Sequence, residues 1–127
     1  MTTALVCIAL LTGLVFVLGA NVSRLRGTAT DQMTTVPTDP LFVAIRAHGN
    51  AAEYVPSLAV LILIVGLNDP AGWMLAAAIA AVAARYIHAV GILSAADMTR
   101  PAPLRMVGAV GTYLAGLALV GAVLVVA

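Results

Sequence analysis

The stretch LFVAIRAHGNAAEYVPSLAVLILIVGL, residues 41–67, decides the fold. It is long and apolar enough to cross a bilayer, for which about 20 residues suffice. Yet residues 46–57 carry Arg46, His48, Asn50, Glu53, Tyr54 and Ser57, and residues 58–67 are purely apolar. An ionisable side chain at the middle of a membrane costs about 2.5–3.5 kcal/mol on insertion scales. Such groups persist where they pair, face a wet cavity or bind something. The segment therefore reads as a membrane helix with a polar site in one half.

Three further apolar stretches have spanning length, at about residues 4–20, 71–93 and 104–127. The expectation is an all-α, integral membrane four-helix bundle, up-down-up-down, forming one domain over residues 1–127. Composition agrees. The chain is 63% hydrophobic and 9% charged, with a mean hydropathy of +1.12, whereas soluble domains are roughly a quarter charged. A soluble globular domain, a disordered chain and a disulfide scaffold are excluded. Lysine is absent, all 6 cations are Arg, and the net charge is +1. No basic block points to nucleic acid. The lone Cys7 reads as a small hydrophobe. The first stretch lacks a basic leader, and Leu18 spoils the one small-residue cleavage site, so it is expected to be a retained helix.

The connections set direction. Thr38-Asp39-Pro40 reads as an N-cap followed by proline at the first helical position, and Asn68-Asp69-Pro70 as a tight turn with the same grammar. Asp97, Pro101 and Pro103 interrupt residues 94–103. Arg24 and Arg26 fall in the first loop and Arg100 and Arg105 flank the third, while the second loop has no cation. The positive-inside rule then puts loops one and three in the cytoplasm and both termini outside, with Trp73 at the outer interface. Small residues recur at four-residue spacing: Ala76, Ala80 and Ala84, then Gly108, Thr112 and Gly116. They permit close helix packing within the chain or between copies.

At 100° per residue, Arg46, Asn50, Glu53 and Ser57 lie within about 60° of one another, bordered by Tyr54, while His48 points about 160° away. The third stretch carries Arg85, Tyr86 and His88. Counting outward from the Asn68–Pro70 turn sets Glu53 level with Arg85, and Asn50 level with His88. A buried Glu53–Arg85 ion pair is expected. That pair leaves Arg46, Asn50 and His48 unexplained, which favours a ligand. Arg46 offers a fork for a carboxylate, Glu53 an anion for an ammonium, and Asn50 a donor and acceptor for a peptide amide. The set fits a small zwitterionic peptide. No Gly-rich phosphate loop, metal-ligand spacing or nucleophile elbow is present. Pro56 is expected to kink the second helix and free the Ala52 carbonyl beside the polar row.

The segment Arg46-Ala47-His48-Gly49-Asn50-Ala51-Ala52-Glu53-Tyr54-Val55-Pro56 closely resembles the second-helix signature of the MAPEG family, the membrane-associated proteins in eicosanoid and glutathione metabolism. That signature is Arg-Ala-x-x-Asn-x-x-Glu-Tyr-x-Pro, and all six named positions match. Arg85-Tyr86-Ile87-His88-Ala89-Val90-Gly91 is similar to the family's third-helix run. Length and layout agree over nearly the whole chain. The resemblance, to a bacterial-type member, implies an inner-membrane homotrimer with glutathione bound between subunits near the cytoplasmic face. It implies that Arg46, Asn50, Glu53 and Tyr54 bind glutathione, that His48 contributes to the pocket, and that Arg85 and His88 complete it. It further implies an Arg near the start of the fourth helix that steadies the glutathione thiolate: Arg100 or Arg105, with Arg100 preferred. Arg24 and Arg26 are weaker candidates for ligand contact. One departure stands out. Eicosanoid-forming relatives carry a second Tyr in the third helix, four residues after the first. Here the two positions are His88 and Ile92, which argues against a specialised eicosanoid synthase.

The leading expectation is thus a glutathione-dependent transferase or peroxidase acting on lipophilic electrophiles, with glutathione or another low-molecular-weight thiol as co-substrate. Its partners are membrane lipid, a lipophilic small molecule and further copies of itself. A non-catalytic lipid- or thiol-binding protein of the same family is the alternative. A purely structural oligomer is third and an ion carrier a distant fourth.

Overall fold

The computed structural model describes residues 1–127. It contains four helices and no strands: α1 (Thr2–Arg26), α2 (Pro40–Leu67), α3 (Gly72–Leu93) and α4 (Pro103–Val126). Each is long and apolar enough to span a membrane. Packing is most extensive between α3 and α4 and between α1 and α2, while the backbones of α1 and α4 stay more than 8 Å apart, Cα to Cα. The four form a bundle whose outer surface is greasy. Phe16, Leu117 and Leu124 are at least 70% exposed, as a lipid-facing surface allows.

Local chemistry explains the helix ends. The Asp39 carboxylate accepts a hydrogen bond from the Leu41 N–H at 2.8 Å, with Pro40 opening α2. At the other end the Asn68 amide donates to the Ile64 carbonyl at 2.8 Å, so a side chain satisfies one of the orphaned final carbonyls. The Asn68-Asp69-Pro70 turn departs from expectation. Asp69 adopts a φ of 50°, Pro70 precedes the helix, and Ala71 is its uncapped start. The chain must reverse here before α3 begins, so the aspartate serves the reversal and not a cap. α1 also runs further than its apolar stretch. Arg24 and Arg26 lie in its last turn, not in the loop, where cations favour the negative end of the helix dipole. Arg24 donates to Asn21 Oδ1 at 2.9 Å. α2 is continuous through Pro56.

The interior is layered. A large apolar core unites Cys7, Leu11, Val55, Ile62, Ala81 and Leu119 towards the Asn68–Ala71 turn. A smaller one joins Leu14, Leu18, Ala47, Ala51, Ala89 and Ile92. Between them lies a polar layer of Asn50, Arg85 and Thr112. Small residues set the closest helix contact. A Cβ on Gly108 would fall on the backbone of His88, and one on Gly91 on the backbone of Leu104 and Arg105. Ala84 meets Gly111 in the same seam. The small-residue rows are thus used within the chain around Ala84, Gly108 and Thr112, while Ala76 and Ala80 remain exposed.

Candidate functional site

The buried face of α2 runs through Ala47, Ala51, Val55, Leu58 and Ile62. At 100° per residue, Glu53 lies about 160° from Ala51 and therefore opposite the core. Arg46 falls about 20° from Glu53 on that outer face. Both are exposed, as is Ser57. Asn50 and Tyr54 are about 40° apart and turn toward α3, where both are partly buried.

This rotation overturns the expected Glu53–Arg85 ion pair. Arg85, only 1% exposed, donates from Nη2 to Asn50 Oδ1 at 2.6 Å and from Nη1 to Thr112 Oγ at 3.5 Å. Its guanidinium lies 5.2 Å from the Tyr54 ring centroid. The lone ion pair in the chain is Arg100–Asp97, at 3.7 Å. Counting from the turn predicts height along the helix; the azimuth of Glu53 is what removes it from Arg85.

α4 completes the polar layer with two residues that the sequence reading did not assign to the site. Thr112 Oγ accepts from Arg85 and donates to the Gly108 carbonyl at 2.7 Å. The Tyr113 hydroxyl lies 2.7 Å from that of Tyr54, the two rings meeting edge to face at 5.8 Å. A signal existed: Thr112 and Tyr113 are the only hydroxyl-bearing side chains in a helix that is otherwise apolar beyond Arg105, about as far past the third loop as Arg85 lies before it.

Below this layer a cavity of about 430 Å³ gathers Arg46, Asn50, His88 and Arg105, walled by Phe42, Ile92, Met98 and Thr99. His88 is buried. Its Nδ1 lies 2.8 Å from the Arg105 carbonyl. A carbonyl only accepts, so Nδ1 carries the proton in this bond. Arg105 Nη1 donates to the Met98 carbonyl at 3.3 Å with the Met98 sulfur at 3.7 Å, and Nη2 donates to the Arg100 carbonyl at 3.0 Å. The Met98 N–H in turn donates to the Pro37 carbonyl at 3.2 Å. Residues 98–100 therefore strap the third loop to the first across the mouth of the cavity. The Arg100 side chain points away and is 83% exposed. It lines a separate recess with Thr38 and Asp97. On the far side of His88 and Arg105 an apolar groove of about 470 Å³ runs along Pro101, Pro103, Met106 and Ala109.

His48 faces the opposite way, as its angle predicts. A Cβ on Gly19 would lie 3.1 Å from its Nε2, so α1 receives the imidazole against bare backbone. A groove of about 540 Å³ there joins His48 to Arg26, Ser23 and Phe16. The chain thus presents two polar faces, one with Arg46, Asn50, Glu53 and Tyr54, the other with Arg26 and His48.

The strap has its own electrostatics. The Thr99 hydroxyl and N–H both donate to Asp97 Oδ1, at 2.7 and 2.9 Å. These bonds, helped by Arg100, hold the Asp97 carboxyl below the ordinary carboxylate range. A lowered acid pKa stabilises the turn above the unfolded value of about 3.9, and that contribution is lost as pH falls through the folded value. Amide exchange at Thr99 and Arg100 is expected to be slow at neutral pH and to lose protection only in that acid range. Asp97→Asn should raise it at neutral pH.

No curated protein and no solved structure matches the chain. The family model described as "MAPEG family" matches residues 4–125, almost the whole length. With four membrane-spanning helices and the polar row of α2, this integral multi-pass membrane protein belongs to the MAPEG family.

Proposed function

We propose that this protein is a glutathione-dependent transferase or peroxidase that conjugates or reduces lipophilic electrophiles. The observation that carries the reading is the cavity holding Arg46, Asn50, His88 and Arg105, which shares His88 and Arg105 with an apolar groove. A polar tripeptide suits the first space and a membrane-dissolved acceptor the second. Their reactive ends meet at the shared wall, which is catalysis by proximity.

In this reading Arg46 takes a carboxylate, Asn50 a peptide amide and Glu53 the ammonium group. Arg105, which lines the cavity, steadies the thiolate, whereas Arg100 looks outward. A free thiol has a pKa of about 8.5, and a nearby cation lowers it. The thiolate sulfur then attacks the electrophilic carbon, or the outer oxygen of a hydroperoxide, and the leaving group departs with the bonding pair.

The exposed Glu53 and Arg46 support a homotrimer. Charges left against acyl chains are costly, and a neighbouring copy covers them. Its Arg26–His48 face supplies the other wall of the glutathione site, and Arg24 stands nearby in the same last turn. Loops one and three then face the cytoplasm, with both termini outside, in a bacterial inner membrane.

The test is turnover of a model aryl halide or a lipid hydroperoxide with glutathione in detergent. Arg46→Leu should weaken glutathione binding about tenfold to a hundredfold, the worth of a charge-assisted hydrogen-bonded fork, measured by calorimetry. Unchanged affinity would count against the site. A second reading, thiol or lipid binding without turnover, is favoured by one observation. Both terminal nitrogens of Arg105 are engaged by loop carbonyls, so its charge is partly committed before any thiol arrives. Saturable binding with no product would select it.

A further inference from the structure

Arg85 is the most deeply buried charge in the molecule, and no carboxylate lies within ion-pair distance of it. It is 1% exposed, and the chain's single ion pair lies elsewhere. A guanidinium does not shed its proton in a protein, so the charge stays. Its partners Asn50 and Thr112 are neutral. Its Nε–H is fully buried and has no acceptor in the protein.

Beside it lies a cavity of about 40 Å³, lined by Arg85, Asn50, Tyr54, His88, Thr112 and Tyr113 together with Ala109. Acids are absent from this lining. A donor inventory shows what the space accepts. Arg85 Nε–H is unpartnered. Asn50 spends its oxygen on Arg85, which leaves its amide N–H groups without a protein acceptor. The Tyr54–Tyr113 bond uses one phenolic proton, so the other remains free to donate. The Thr112 proton is already given to the Gly108 carbonyl. A buried cation, spare donors and a space of about one small ion make one combination: charge compensation by an acceptor held among N–H and O–H groups.

We propose that Arg85 anchors a binding site for one small monovalent anion. The chemistry has two sources, a free halide or a single carboxylate of a bound thiol peptide. The second rests on the glutathione reading; the first does not, so the two stand or fall separately.

The deciding experiment is a structure of the full-length protein grown in sodium bromide, with anomalous scattering at the bromine edge, solved with and without glutathione. Bromine density beside Arg85 supports a free halide. A glutathione carboxylate oxygen within 3.5 Å of the Arg85 guanidinium, with bromine absent or displaced, supports the peptide as source. Water alone in both structures, or the Glu53 carboxylate against Arg85, overturns the proposal. Thermal unfolding supplies a second readout. The protein should melt higher in sodium chloride than in sodium gluconate at equal ionic strength, because gluconate is too large for the space. Ala109→Val fills the cavity without touching a polar group and should abolish that difference, as should Arg85→Met if it folds. A wild-type protein that melts identically in both salts overturns the halide arm.

Discussion

Gly108→Val should strip α4 from α3 and cost at least about 3 kcal/mol of stability, the upper range for overpacking against atoms that cannot retreat. The reason is geometric. The added Cβ lands on the main-chain nitrogen and Cα of His88, so no rotamer change relieves the clash. The helices must part, and the most extensive interface in the bundle goes with them. Gly121→Val in the same helix is the control, since nothing lies within 4 Å of a Cβ there. The measurement is built into the chain. Cys7 is its single cysteine and is buried, so a thiol-reactive dye reports unfolding on heating in detergent. A large drop in Tm for Gly108→Val beside a small change for Gly121→Val is the expected pair. Equal drops would mean that helix propensity, not the α3–α4 seam, sets the loss. Displacing Gly108 also moves His88 and Arg105, which that seam holds together, so thiol binding should fall in step.

Arg105→Ala should lower turnover at neutral pH about tenfold to a hundredfold, as expected when a cation that depresses a thiol pKa by one to two units is removed. The sign follows from the charge. A cation favours the thiolate, so its loss sends the bound thiol back toward about 8.5. The acid limb of the rate–pH profile therefore moves to higher pH, and the ultraviolet thiolate signal at neutral pH declines. Arg100→Ala should stay within about twofold, because that side chain points out of the cavity. Arg105→Lys should recover part of the charge effect without the two-pronged hold on the Met98 and Arg100 carbonyls. Equal losses at both positions would remove the assignment to Arg105.

The polar row itself is legible in the sequence. The angular spacing of Arg46, Asn50, Glu53 and Ser57 requires only that the segment be a helix. Height along the bundle was nearly readable too, because a short turn forces antiparallel neighbours into step. Partner choice was not. Asn50 and Glu53 differ by a few ångströms in height and about 60° in azimuth, and that angle decides which meets Arg85. Hydropathy counting likewise ended the first helix near residue 20, because a polar last turn carries no apolar signal; Arg24 and Arg26 continue it.

The sequence by itself determined that four helices cross a membrane, that one half of α2 holds a charged row, and that the row carries the family signature. These are local properties, set by apolar run length and a period of about 3.6 residues. Only the tertiary structure decided that Arg85 takes Asn50 and Thr112 in place of Glu53, that His88 grips the Arg105 carbonyl, and that Arg105 enters the cavity while Arg100 leaves it. The choice of Asn50 depends on how α2 rotates against α3, and the other outcomes on how α4 rotates against α3. That rotation is set where Gly108 and Gly91 let two backbones touch, a contact between residues remote in the chain that no single helix encodes.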